Sequence, residues 1–219
     1  PTYVLDGEEL DSPRGRIALA REMLDSGDAP SPVAVRHLDR CLSCLSCETT
    51  CAAGVSYHAI IDGAREYIEK SKARPLTQRL LRAALARVLT TPSLLRPAAA
   101  AGRLLRGAAG RLGGPLGALV SLSAAPALAA FSPRAEAALP PPVHATRRVA
   151  LLDGCAQSVL GAEINASAKR LLARAGVAVV AVPGVQCCGA LELHMGRREA
   201  ATRHMEQAVR SWSAALQAG

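Results

Sequence analysis

Four cysteines lie within eleven residues, at Cys41, Cys44, Cys47 and Cys51. Their C-x2-C-x2-C-x3-C spacing is that of the bacterial ferredoxin run that holds a cubane iron–sulfur cluster. The spacing has a physical reason. Three thiolates separated by two residues let a tight loop wrap three corners of a cube and leave local backbone N–H groups free to bond the sulfides. The alternative metal is zinc, but structural zinc sites usually take two short-spaced pairs separated by a longer loop. Ala52 follows Cys51 where the usual run has proline, which would stiffen the loop exit but supply no ligand. In two-cluster proteins the fourth cysteine of such a run serves the other cluster. On that pattern Cys51 reaches away from the other three, their fourth ligand would precede Pro1, and this chain alone would bind iron poorly.

A second set of thiols is dispersed in sequence. Cys155 follows a predicted strand at 149–152, and Cys187, Cys188 and Gly189 follow another at 177–182. In a parallel sheet the carboxyl ends of both strands open onto one edge, where open α/β folds place ligands. Gly184 and Gly189 would let the backbone approach a bulky group. Cys155, Cys187 and Cys188 therefore form a candidate redox or metal site, with His194 as a further ligand or polar lining. The alternative is that they are small buried hydrophobes.

The elements that must position these groups read as α+β, mostly helical. Residues 1–27 open with an extended stretch, followed by a helix signal. Ser12 as N-cap, Pro13 at the first helical position and Gly27 as stop define a helix. Residues 28–36, with Pro30 and Pro32, read as a linker. After the cysteine run comes a turn at Gly54 and a helix whose buried face is Tyr57, Ile60, Ile61, Ala64 and Ile68. Residues 1–72 thus form an α-helical ferredoxin-like domain. Residues 73–146 are a segment rich in Ala, Leu and Arg. Within it, 76–89 reads as a basic amphipathic helix with Leu76, Leu80, Leu81, Ala84, Leu85 and Val88 on one side. Residues 112–133 are uncharged and long enough for a membrane span. Gly113, Gly114, Pro115, Gly117 and Pro126 interrupt them, favouring short helices on protein or lipid. Residues 147–219 read as an α/β domain: strand, helix at 163–175, parallel strand by a right-handed crossover, and a long helix at about 194–217.

Composition bounds the partners. Half of the 219 residues are apolar and aromatics are scarce, so Ala and Leu must build most of the core. Eleven of the 26 basic residues fall between Lys70 and Ala135, where no acidic residue occurs; the remainder carries 15 basic against 18 acidic residues. The positive charge therefore belongs to one segment. Its arginines alternate with Leu and Ala without aromatics for base stacking, which argues against a zinc-stabilised nucleic-acid binder. Seven cysteines, an odd and clustered set, argue for metal binding in the reducing cytoplasm over a disulfide framework. A chain that begins with Pro1 reads as a fragment, and no G-x-G-x-x-G follows a strand, so no dinucleotide site is expected.

Three motifs carry a resemblance across nearly the whole chain. They are Asp11-Ser12-Pro13-Arg14-Gly15-Arg16, the block from His37 through Cys51 to Val55, and Val149 to Cys155 with Cys187-Cys188-Gly189-Ala190 and His194-Met195-Gly196. With these the sequence resembles the iron–sulfur subunits of bacterial glycolate oxidases (glycolate dehydrogenases). The resemblance implies two [4Fe–4S] clusters in the intact subunit, followed by cysteine-rich CCG domains. It implies FAD-containing partner subunits that oxidise glycolate to glyoxylate, with this subunit relaying electrons towards membrane quinone. The chain would lack the substrate site and would sit in the cytoplasm on the inner face of the bacterial inner membrane. The basic segment would meet that anionic surface or an acidic partner subunit. Related subunits acting on lactate, glycerol 3-phosphate or heterodisulfides are the neighbouring alternatives.

Overall fold

The computed structural model describes residues 2–105, 107, 117, 120, 147–185 and 187–217. Helices dominate and a small parallel sheet accompanies them, as the mostly helical α+β reading expects. The chain forms two compact units, Pro1–Ala83 with Gly189–Arg203, and Ala84–Cys188 with His204–Gly219.

In the first unit, α1 (Thr2–Asp6) and a 3-10 turn (Glu9–Asp11) lead into α2 (Pro13–Ser26). The start of α2 follows its sequence signals. Ser12 Oγ accepts from the Gly15 N–H at 3.0 Å, Pro13 occupies the first turn, and Gly27 ends the helix at φ 66°. Two expectations need correction. Residues 2–6 are helical rather than extended, and most of the expected linker is α3 (Pro32–Asp39). Ser31 Oγ caps α3 through the Ala34 N–H at 3.1 Å, so Ser31-Pro32 repeats the start signal of Ser12-Pro13. Then come α4 (Ser46–Thr49) and α5 (Tyr57–Lys70). Leu19, Ala20, Met23, Ala34, Leu38, Tyr57, Ile61, Ala64 and Ile68 make the core, with Ile60 half-buried at its edge. Full burial of each large apolar side chain is worth about 1.5–3 kcal/mol, so packing rather than intrinsic propensity holds these short helices.

The expected long helix at about 194–217 is α11 (Arg198–Gln217), preceded by a separate short helix, α10 (Ala190–His194). Gly196 separates them at φ 79°. A Cβ there would stand 2.3 Å from the Arg65 carbonyl oxygen, so only glycine allows this approach to α5.

The expected basic helix is α6 (Leu76–Thr90), but its buried face differs from the one expected. Leu76 and Leu80 are 66% and 62% exposed, while Ala86 and Thr90 are buried. Thr90 is accommodated because its hydroxyl donates to the Ala86 carbonyl at 2.8 Å within the helix. Next is α7 (Pro92–Leu104), which buries Leu95 and Ala99. The uncharged stretch at 112–133 and the prolines at 140–142 lie outside the described residues. Among the described residues no helix is long and apolar enough to cross a membrane.

The second unit holds β1 (Arg147–Ala150), α8 (Gln157–Leu160), α9 (Ala162–Arg174) and β2 (Val177–Val180). The strands pair in parallel, with Arg147 opposite Val177 and Ala150 opposite Val180. Helix α9 packs on β2, and α7 packs on α8.

Candidate metal centre

The loop from Cys41 to Cys51 is wrapped by backbone that the sequence does not advertise. Ser43 and Leu45 take left-handed conformations at φ 50° and 55°, uncommon for residues with a Cβ. Left-handed residues in such a loop turn successive N–H groups towards one concavity, the geometry of anion-binding nests. The thiols feel those groups. The backbone N–H of Ser46, then its hydroxyl, lowers the pKa of Cys44. The N–H groups of Val55 and Ala53 lower that of Cys51. Burial raises Cys47, and the negative charges of Cys41 and Cys44 add to it. Cys47 thus feels both Cys41 and Cys44, while the turn after Cys51 acts on the fourth thiol. None of the seven cysteines is in a disulfide.

The donor set fits a cluster. Four thiols in one loop, with backbone N–H groups directed at Cys44 and at Cys51, supply donors of the kind that thiolate and sulfide together use.

Buried polar groups brace this loop from behind. Arg65, 5% exposed, donates to the carbonyls of Leu38 at 3.1 Å and Cys41 at 2.5 Å, to Ser43 Oγ at 2.7 Å and to the His194 carbonyl at 3.1 Å. Asp11 Oδ1 is shared by Arg16 at 3.0 Å and His37 Nδ1 at 3.1 Å, and Arg40 reaches Asp11 Oδ2 at 2.9 Å. Burial alone would raise the Asp11 pKa. The hydrogen bond from His37 and the charges of Arg40, His37 and Arg16 outweigh it and hold the carboxyl below its ordinary value. Arg16 also donates to the His37 carbonyl at 2.8 Å, fixing α3 just before the loop. Gly15 is required there, since a Cβ would lie 2.2 Å from the Glu9 carbonyl oxygen. The motif at 11–16 is thus a strut under the cysteine loop. On the far side, Glu48 accepts from the His58 backbone N–H at 2.8 Å, tying α4 to the start of α5. The Tyr57 hydroxyl stands 3.6 Å from Cys41 Sγ.

In the second unit Cys155 and Cys187 come together, both buried. A hydrogen bond from Cys187 pulls the Cys155 pKa down to about 6, against burial, which would raise it. Asn165, buried on α9, shapes the approach to Cys155: its Nδ2 donates to the Asp153 carbonyl at 2.7 Å and its Oδ1 accepts from Gln157 at 2.6 Å. Cys188 is half-buried beside Cys187 in sequence. His194 lies in the first unit, where its Nδ1 meets Asp62 Oδ1 at 3.0 Å. The cause is Gly196, whose close approach to α5 carries His194-Met195-Gly196 onto that helix, where Arg82 also donates to the Met195 carbonyl at 3.1 Å.

Arg65 and Asn165 escaped the sequence reading. Arg65 had a signal: with Ile61 and Ile68 it repeats at helical spacing on the buried face of α5. A charge on an apolar stripe demands partners.

Comparison with known proteins agrees with these features. Residues 149–218 match the family model of a cysteine-rich (CCG) domain. Over 219 residues the chain is 37% identical to the glycolate oxidase iron–sulfur subunit of Escherichia coli K12, covering all of this chain and 50% of that protein. It is 30% identical over 227 residues to a probable glycolate oxidase iron–sulfur subunit of Bacillus subtilis 168, covering 98% of this chain and 51% of that protein. The chain therefore spans about half the length of the curated relatives it matches. No solved structure matches it.

Proposed function

We propose that this chain is the cluster-bearing part of the iron–sulfur subunit of a glycolate oxidase, relaying electrons from FAD-containing subunits that oxidise glycolate to glyoxylate. The observation that carries the reading is the loop of Cys41, Cys44, Cys47 and Cys51, lined by N–H donors, in a chain similar to such subunits along its whole length. A cluster bound there supplies a one-electron carrier. Cys41, Cys44 and Cys47 hold one cluster and Cys51 reaches to a second. Arg65 and the Asp11–Arg16–His37 strut keep the loop open to receive the first. Electrons then pass to quinone at the cytoplasmic face of the inner membrane, with the acid-free basic segment lying against anionic lipid or an acidic partner subunit.

The test uses the complete gene product produced with its partner subunits and purified without oxygen. Expected are iron and acid-labile sulfide in cluster stoichiometry, paramagnetic signals on reduction, and glycolate-dependent reduction of a quinone analogue that copurifies with membranes. A colourless protein with stoichiometric zinc would sink the cluster. Preference for lactate, glycerol 3-phosphate or a heterodisulfide would keep the cluster and replace the substrate.

A further inference from the structure

We propose that the Tyr57 hydroxyl is a hydrogen-bond donor to the sulfur of Cys41 that raises the reduction potential of the cluster Cys41 ligates; the inference rests on the cluster reading above. Tyr57 is the first residue of α5 and 4% exposed, seated among the apolar side chains of α2, α3 and α5. Phenylalanine would fill that space as well. A buried hydroxyl without a partner is destabilising, so its presence needs a compensating bond. The bond is to Cys41 Sγ, at 3.6 Å.

Ligation fixes its direction. In the bare thiol either atom can donate, but a ligating cysteine is a thiolate without a proton, so the tyrosine O–H must donate. The loop backbone keeps the sulfur in reach, because Arg65 holds the Cys41 carbonyl and the Leu38 carbonyl three residues before it.

The consequence is electrostatic. One-electron reduction adds negative charge that is shared by the ligand sulfurs. A donor already pointed at one of them stabilises the reduced state more than the oxidised state. Hydrogen bonds to cluster sulfurs are among the determinants of potential for this reason. Arg65, by contrast, bonds the Cys41 carbonyl and not its sulfur, so it positions the ligand without acting directly on its charge.

The experiment compares three forms of the complete gene product, purified without oxygen: wild type, Tyr57→Phe and Ile61→Val. Each is assayed for iron and sulfide and titrated potentiometrically with paramagnetic resonance as the readout. Tyr57→Phe is expected to keep full iron and sulfide content and to show a lower midpoint potential for one cluster. Ile61→Val trims a packed side chain of the same core without touching the hydroxyl, and its potential is expected to match wild type. An unchanged potential in a fully loaded Tyr57→Phe overturns the inference and leaves the cluster reading standing. So does an equal shift in Ile61→Val, because packing would then account for it. Loss of iron from Tyr57→Phe assigns the hydroxyl to holding the loop and likewise overturns it as a tuning group. A wild-type protein without iron overturns the cluster reading itself, a result separable from the others by metal analysis alone.

Discussion

The two cysteine sites are held by different means. Around the loop of residues 41–51, charged side chains buried beneath it carry the geometry: Arg65 on α5, and Asp11 with Arg16 and His37. Around Cys155 and Cys187, one buried amide, Asn165, and the thiols' own hydrogen bond do so. The core differs in kind as well. Leu38, Ile61 and Ile68 are fully buried in the first unit, whereas the strands of the second are half-buried or exposed along their whole length. A loop that must present several thiols to a bulky group cannot collapse onto them, so its shape has to be imposed from outside. Two thiols in contact define part of their own geometry.

The comparison breaks if removing a strut leaves the first unit intact. Asp11→Ala strands Arg16 and His37 in a buried site, and breaking a buried pair from one side costs about 3–5 kcal/mol. Chemical denaturation should register that loss, with a smaller one for Asp11→Asn. The pH dependence has a definite sign. The folded carboxyl titrates below its unfolded value, so its contribution is full above the ordinary carboxylate range and disappears as pH falls through the lower, folded pKa. Wild type should therefore lose stability in acid more steeply than Asp11→Ala. Equal stability of the two at neutral pH would show that the strut is dispensable.

A smaller effect is expected at Gly196. An alanine there puts a Cβ against the Arg65 carbonyl and also strains a left-handed backbone. Overpacking typically costs about 1–3 kcal/mol. Gly196→Ala should lower the melting temperature and speed amide exchange at Met195 and Gly196. Gly184→Ala, whose Cβ meets only the Ser211 hydroxyl at 3.3 Å, is the milder comparison. If both lower the melting temperature equally, the close approach to α5 is not what fixes Gly196.

These sites were unequally legible in the sequence. The thiols were, because ligand spacing is local. So were α2, marked by its Ser12 cap and Gly27 stop, and α5, marked by its apolar periodicity. Ser31-Pro32 carried the same start signal as Ser12-Pro13, yet Pro30 beside it read as linker punctuation. The constraint on Gly196 was hidden, because what it approaches, the Arg65 carbonyl, is 131 positions away in the chain. The partners of His194 were hidden for the same reason. A histidine five residues after a Cys-Cys-Gly suggests a shared site, and only the fold shows it meeting Asp62. On α6 the periodicity was right and the burial was not, since Ala86 and Thr90 are less apolar than the exposed Leu76 and Leu80.

The last effect concerns reactivity more than stability, and it sharpens the contrast most directly. If Cys155 and Cys187 define part of their own geometry, each should report on the other. With Cys187 donating, Cys155 ionises at about 6 and is largely thiolate at neutral pH. Its folded pKa is depressed, so it stabilises the fold above the ordinary thiol pKa, and that contribution is lost as pH falls through about 6. Cys187→Ala removes the largest lowering cause and leaves burial, which raises the pKa, opposed by weaker backbone N–H bonds. The thiolate absorbance of Cys155, followed with pH in proteins whose five cysteines other than Cys155 and Cys187 are serine, should then move to a higher midpoint. Asn165→Ala should shift it much less, because Asn165 fixes the Asp153 carbonyl and Gln157 rather than the sulfur itself. A midpoint indifferent to Cys187 would mean that the backbone N–H of Ala156 sets the thiol alone, and the second site would then be imposed from outside like the first.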